Sequence, residues 1–169
     1  MDKYRVIFLT LVFVSATGFI NAQTFNKVKI ANDIEMTANM DEVWTAISNL
    51  ANLDELVPEI ISKTEMVGNG KGSVITLTLK SNGLQVVEKV TKLDNKKHII
   101  VYEMLETPMP ISDYKATIKI IPLKIDSYKV RFDAVFKVQD KDRETMENTI
   151  ANFQKTLLSN IKKKYNYEQ

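Results

Sequence analysis

Between Asp142 and Tyr165, apolar residues recur at three- and four-residue steps: Met146, Ile150, Phe153, Leu157, Leu158, Ile161 and Tyr165. At 3.6 residues per turn they share one face, which predicts a long amphipathic helix needing a partner surface. Asp142 and Glu144 in its first turn and Lys162, Lys163 and Lys164 in its last match the sign of the helix dipole at each end. Most of the chain before it alternates with a period of two. In the clearest example, Tyr128, Val130, Phe132, Ala134, Phe136 and Val138 face one way, and Lys129, Arg131, Asp133 and Lys137 the other.

The same alternation predicts strands at Val28 to Met36, Ile60 to Met66, Ser73 to Lys80, Leu84 to Leu93, His98 to Glu106 and Asp113 to Pro122, with Ser127 to Val138 as the seventh. After the first strand, Asn39 stands three residues before Glu42, and Met40, Val43, Trp44, Ile47 and Leu50 repeat at helical spacing, so a capped helix is expected there. A second short helix over Leu53 to Val57 is stopped by Pro58. Asn82-Gly83, Asp94 to Lys97 and Leu123 to Asp126 read as hairpin turns. The expected class is α+β, one antiparallel sheet folded around one helix.

Ahead of these elements, Lys3 and Arg5 precede a nearly unbroken apolar run from Val6 to Ile20, with Ala22 before Gln23. This is the pattern of a cleaved secretory signal over residues 1–22. A membrane anchor is the alternative, but the run is shorter than the ~20 residues a spanning helix needs. The expectation is therefore an exported protein, periplasmic or secreted, with no stable membrane insertion after cleavage. The remaining residues 23–169 suffice for a single domain. There is no cysteine, so neither a disulfide framework nor a lipidated cysteine is available. Beyond the signal, 21 basic residues face 20 acidic ones, a balance that gives no support to nucleic acid as a partner.

Chemistry is sparser. Gly68-Asn69-Gly70-Lys71-Gly72 superficially suggests a phosphate-cradling loop, but such a loop must open a helix, and Ser73 to Lys80 alternates like a strand. His98 is the single histidine, so zinc has no ligand set and no metal or cofactor is expected; a solvated side chain is the plain reading. Glu88 shares a strand face with Val86 and Val90, and Glu103 shares one with Ile99, Val101 and Leu105. Either carboxyl, turned inward, would have its pKa raised by desolvation, and a one-residue shift of register would turn it out again. Thr107-Pro108-Met109-Pro110 interrupts the strand pattern with two prolines and reads as a loop rimming an opening.

Several strings along Val28 to Tyr165 resemble the START-like, polyketide cyclase/dehydrase-like superfamily: Ile34-Glu35-Met36 running into Asp41 to Ile47, Leu53 to Pro58, Gly68 to Gly72, Val87-Glu88-Lys89-Val90 with Leu93-Asp94, and Pro108 to Tyr114. The resemblance implies a helix-grip fold, a seven-stranded antiparallel sheet wrapped around the long C-terminal helix, with two short helices after the first strand. It also implies a cavity between sheet and helix for an apolar or amphipathic, lipid-like small molecule. Glu88, Tyr102, Glu103, Met104, Met109, Tyr114, Phe153 and Leu157 are the candidate cavity residues, with no catalytic set carried over. Binding is the leading expectation. A cyclase/dehydratase-like enzyme and a protein interaction module are the alternatives, the first favoured by polar groups converging in the cavity and the second by a cavity filled solid.

Overall fold

A computed structural model describes residues 24–124 and 126–165. The proposed signal segment 1–22 lies outside the described residues. Seven strands, β1 (Phe25–Met36), β2 (Ile61–Val67), β3 (Val74–Leu79), β4 (Gln85–Asp94), β5 (Ile99–Glu106), β6 (Ile111–Lys124) and β7 (Ser127–Gln139), form one antiparallel sheet in the order β1-β7-β6-β5-β4-β3-β2. First and last strands are thus neighbours, and β1 pairs with β7 over twelve residue pairs without a register shift.

Between β1 and β2 come α1 (Met40–Ser48), a short 3-10 turn and α2 (Leu53–Leu56). Asn39 caps α1 as expected, its Oδ1 accepting from the backbone N–H of Asp41 at 2.9 Å and of Glu42 at 3.2 Å. The long helix α3 (Arg143–Tyr165) lies across the inner face and packs chiefly on β1 and β7. Its buried apolar positions Met146, Ile150, Leu157, Leu158 and Ile161 belong to the predicted stripe, whose Phe153 and Tyr165 are partly buried, and Gln154 is buried beside them. Each fully buried aliphatic side chain of this kind contributes about 1.5 to 3 kcal/mol of transfer free energy. All six inward residues of β7, from Tyr128 to Val138, are buried.

The glycine-rich segment is a turn between β2 and β3, with Gly68, Gly70 and Gly72 all at positive φ. No helix follows it, so the dinucleotide-binding geometry is absent there. His98 departs from the expected solvated side chain: at φ +49° its ring packs on Trp44 with centroids 5.3 Å apart, and only 23% of the side chain is exposed.

Two register breaks set the geometry of the site. On β6, Asp113 takes φ +52° where the pairing with β7 shifts between Ser112 and Lys115. That bulge resets the alternation, so that Ile111 shares the buried face with Tyr114, Ala116, Ile118 and Ile120, and Tyr114 stacks against Phe136. A second break shifts the β4–β5 pairing between Val87 and Glu88. The β5–β6 ladder runs only from Ile99↔Lys119 to Glu103↔Lys115. Beyond it the strands separate around the loop Thr107 to Pro110, shorter than the interruption the two prolines suggested because β6 already begins at Ile111.

Candidate functional site

An opening of about 320 Å³ lies between the inner face of the sheet and the first half of α3. Leu77 and Leu79 of β3 and Val86 and Glu88 of β4 line it from the sheet, joined by Met104 of β5 and Tyr114 of β6. From α3 come Thr149, Ile150, Asn152 and Phe153; Met109 of the proline loop, Glu59 and Ile60 ahead of β2, Ile61 at its start and Ser81 after β3 complete the wall. The volume sits at the small end of the ~300 to 1,000 Å³ typical of small-molecule sites.

Glu88 is the chemically distinctive member. Strand alternation turns it inward with Val86 and Val90, and it is 5% exposed, opposite Ile75 on β3 and Met104 on β5. Burial pushes its carboxyl from 4.5 up to about 8, because the charged form is denied water. At neutral pH the group therefore keeps its proton.

Behind Tyr114 stands Tyr102 of β5, also fully buried. Its side chain interacts with that of Tyr114, and Glu88 lies within electrostatic reach of both. Both phenols are held well above their usual range, first by burial and then by the neighbouring tyrosine or Glu88. The Tyr102 ring meets Phe132 edge-on at 6.4 Å, and Phe132 meets Phe153 likewise at 6.2 Å, so an aromatic chain links the tyrosine pair to the helix wall of the cavity.

Of the eight predicted cavity residues, Glu88, Met104, Met109, Tyr114 and Phe153 line the opening. Tyr102 stands one layer behind it. Leu157 is buried in the core one turn beyond Phe153, where α3 has already closed onto its neighbours. Glu103 requires correction. It lies on the outer face, its carboxylate 3.0 Å from Lys115 Nζ, because β5 turns Ile100, Tyr102 and Met104 inward. Ile99, Val101 and Leu105 on the outer face of β5 disguised that phase. Leu77, Leu79, Thr149 and Asn152 were missed. The first two follow the same inward alternation as Ile75, and the last two flank Phe153 at helical spacing, a signal that polar residues on the rim of an apolar stripe could have given.

Among the described residues no cluster of three or more histidine, aspartate or glutamate side chains forms a metal site. No helix among them is long and apolar enough to cross a membrane.

The sequence profile described as polyketide cyclase / dehydrase and lipid transport matches residues 27–166. The chain belongs to this family. Its match spans the sheet and α3 together, so the cavity lies wholly within the polyketide cyclase / dehydrase and lipid transport region. S-norcoclaurine synthase of Thalictrum flavum subsp. glaucum is 27% identical over 148 residues, covering 82% of this chain and 70% of that protein. A structure of norcoclaurine synthase from Thalictrum flavum in complex with dopamine and hydroxybenzaldehyde superposes with a TM-score of 0.71 at 24% identity, covering 95% of each chain. The Zhui aromatase/cyclase of Streptomyces gives a TM-score of 0.70 at 18% identity over 80% of this chain and 92% of that one. At such identities the two structural likenesses establish a shared fold.

Proposed function

We propose that this protein is an exported binding protein for a compact, largely apolar small molecule, held between the sheet and α3 with its polar end against Glu88 and Tyr114. The observation that carries the reading is the buried Glu88 in the wall of a largely apolar opening of about 320 Å³. An ordinary core has no use for an isolated carboxyl, whereas a binding site uses one to fix orientation. The volume favours a compact, ring-sized molecule over a two-chain lipid. The dopamine and hydroxybenzaldehyde held by the norcoclaurine synthase structure are of that size class. Affinity would come mainly from buried apolar area, at about 25 cal/mol per Å².

Calorimetric titration with small bicyclic aromatics tests this reading. Binding should raise the melting temperature in proportion to ligand excess, and Leu77→Trp, which fills the cavity, should abolish both effects. Absence of any binding by the unaltered protein would sink the proposal. Export rests on the apolar run from Val6 to Ile20 behind Lys3 and Arg5. N-terminal sequencing of protein recovered outside the cytoplasm should begin at Gln23, and an intact Met1 retained in the membrane fraction would reject it.

A second reading, a cyclase/dehydratase-type enzyme, is favoured by one feature. Glu88 titrates near 8 beside a tyrosine, which suits a group that gives up and takes back a proton at neutral pH. Turnover of a cyclisable apolar substrate that is lost in Glu88→Gln, with ligand affinity retained, would select this reading over simple binding.

A further inference from the structure

We propose that Glu88 and Tyr114 form a pair of hydrogen-bond donors at the inner end of the cavity, so that the site selects ligands presenting an acceptor oxygen, a carbonyl or an ionised phenol, over ligands presenting an amine, an assignment that rests on the ligand-binding reading above. A tyrosine hydroxyl has one hydrogen to give. Tyr102 is buried in the core and does not line the opening, so Tyr114 is the tyrosine that borders it. Glu88 lines the same opening, which places two groups able to donate a hydrogen on one space.

The protonation state of Glu88 follows from its surroundings. β3 contributes Leu77 and Leu79 to the wall, and α3 contributes Ile150 and Phe153 with the neutral Thr149 and Asn152. Besides Tyr114, and Tyr102 behind it, the other titratable group of the lining is Glu59 at the mouth, and no lysine, arginine or histidine is present there. With no cation in the wall to stabilise a carboxylate, the neutral acid is favoured, and a neutral acid donates. Two donors converging in a site shielded from water are suited to an oxygen that carries or develops negative charge. An ammonium group would instead have to ionise Glu88 in an apolar surround, at a desolvation cost for both partners.

Three ligands of one shape test this: 2-ethylnaphthalene, 2-acetylnaphthalene and 1-(2-naphthyl)ethylamine, titrated calorimetrically into the purified protein at pH 6.5 and pH 9.5. At pH 6.5 the ketone should bind about tenfold tighter than the hydrocarbon, the ratio one hydrogen bond of about 1.4 kcal/mol supplies, and the amine should bind no tighter than the hydrocarbon. At pH 9.5 Glu88 is ionised, and the ketone preference should shrink as the amine gains. Tyr114→Phe and Glu88→Leu should each remove the ketone preference while 2-ethylnaphthalene still binds. Glu88→Gln, which keeps a donor and cannot titrate, should preserve the preference at both pH values. Equal binding of the three ligands, tighter binding of the amine at pH 6.5, or a ketone preference that survives Glu88→Leu would overturn the donor pair. Failure of 2-ethylnaphthalene itself to bind would instead overturn the reading of the cavity as a ligand site, and the donor pair with it.

Discussion

Helix α3 meets the sheet in two ways. Over β1 and β7 it is sealed: Phe132, Phe136 and Val138 of β7 are fully buried, and Leu157, Leu158 and Ile161 of the helix with them. The polar pair there, Asn32 Nδ2 donating to Gln154 Oε1 at 2.7 Å, ties the helix to β1. Over β2, β3 and β4 the same helix stands clear of the sheet, and its first half borders the cavity through Thr149, Asn152 and Phe153. The polar groups buried there are the carboxyl of Glu88 and the hydroxyl pair of Tyr102 and Tyr114. One half of the molecule supplies the stability, and the other half uses some of it to keep a carboxyl in an apolar wall.

Removing α3 is the harshest way to break this contrast. A chain ending at Gln139 leaves the inward face of β7 uncovered, and cooperative thermal unfolding followed by circular dichroism should be lost. Within the sealed half, Phe132→Ala removes a fully buried ring that touches both Tyr102 and Phe153, and should cost about 3 to 5 kcal/mol in denaturant unfolding.

In the open half the sign reverses. Folded Glu88 holds its proton to about pH 8, whereas the unfolded chain releases it near 4.5. At Glu88 the folded state therefore holds the extra proton between these values, so this group's contribution to stability is fully present below about pH 4.5, falls as pH rises to about 8 and then levels off. At pH 7 the loss is on the order of 3 kcal/mol, from about 1.4 kcal/mol per pH unit. Glu88→Gln should raise stability at pH 7 by a similar amount and flatten this part of the pH profile, which urea titrations across pH 4 to 9 will show. A smaller effect is expected at Phe153. The ring is partly buried and already borders empty space, so Phe153→Ala should cost about 1 to 2 kcal/mol, well below Phe132→Ala in the same assay.

The two halves also differ in how far the sequence reveals them. The sealed half was legible, because β7 alternates without interruption and α3 carries a clean apolar stripe, so each inward residue announces its direction. Glu88 shares a face with Val86 and Val90, but the sequence left its direction open, and the pairing of β4 with β3 and β5 settles it. Glu103 was not legible, since β5 carries apolar residues on both faces and its phase is set by pairing with β4 and β6. The inward turn of Tyr114 was legible from its alternation with Ala116, Ile118 and Ile120, whereas the bulge at Asp113, which lets Ile111 be buried on the same strand, is a backbone event with no glycine to mark it. Nor does the helix stripe say where α3 leaves the sheet. That separation depends on which strands the helix overlies, a long-range fact that local periodicity does not encode.

Carbon-13 NMR titration of the Glu88 carboxyl bears most directly on the claim that the open half holds a neutral acid in an apolar ligand site. With the signal assigned by its loss in Glu88→Gln, the midpoint should fall at about 8 in the free protein and rise further when 2-acetylnaphthalene is bound. A midpoint near 4.5, unmoved by the ligand, would show an ionised, solvated carboxylate at neutral pH and contradict the account.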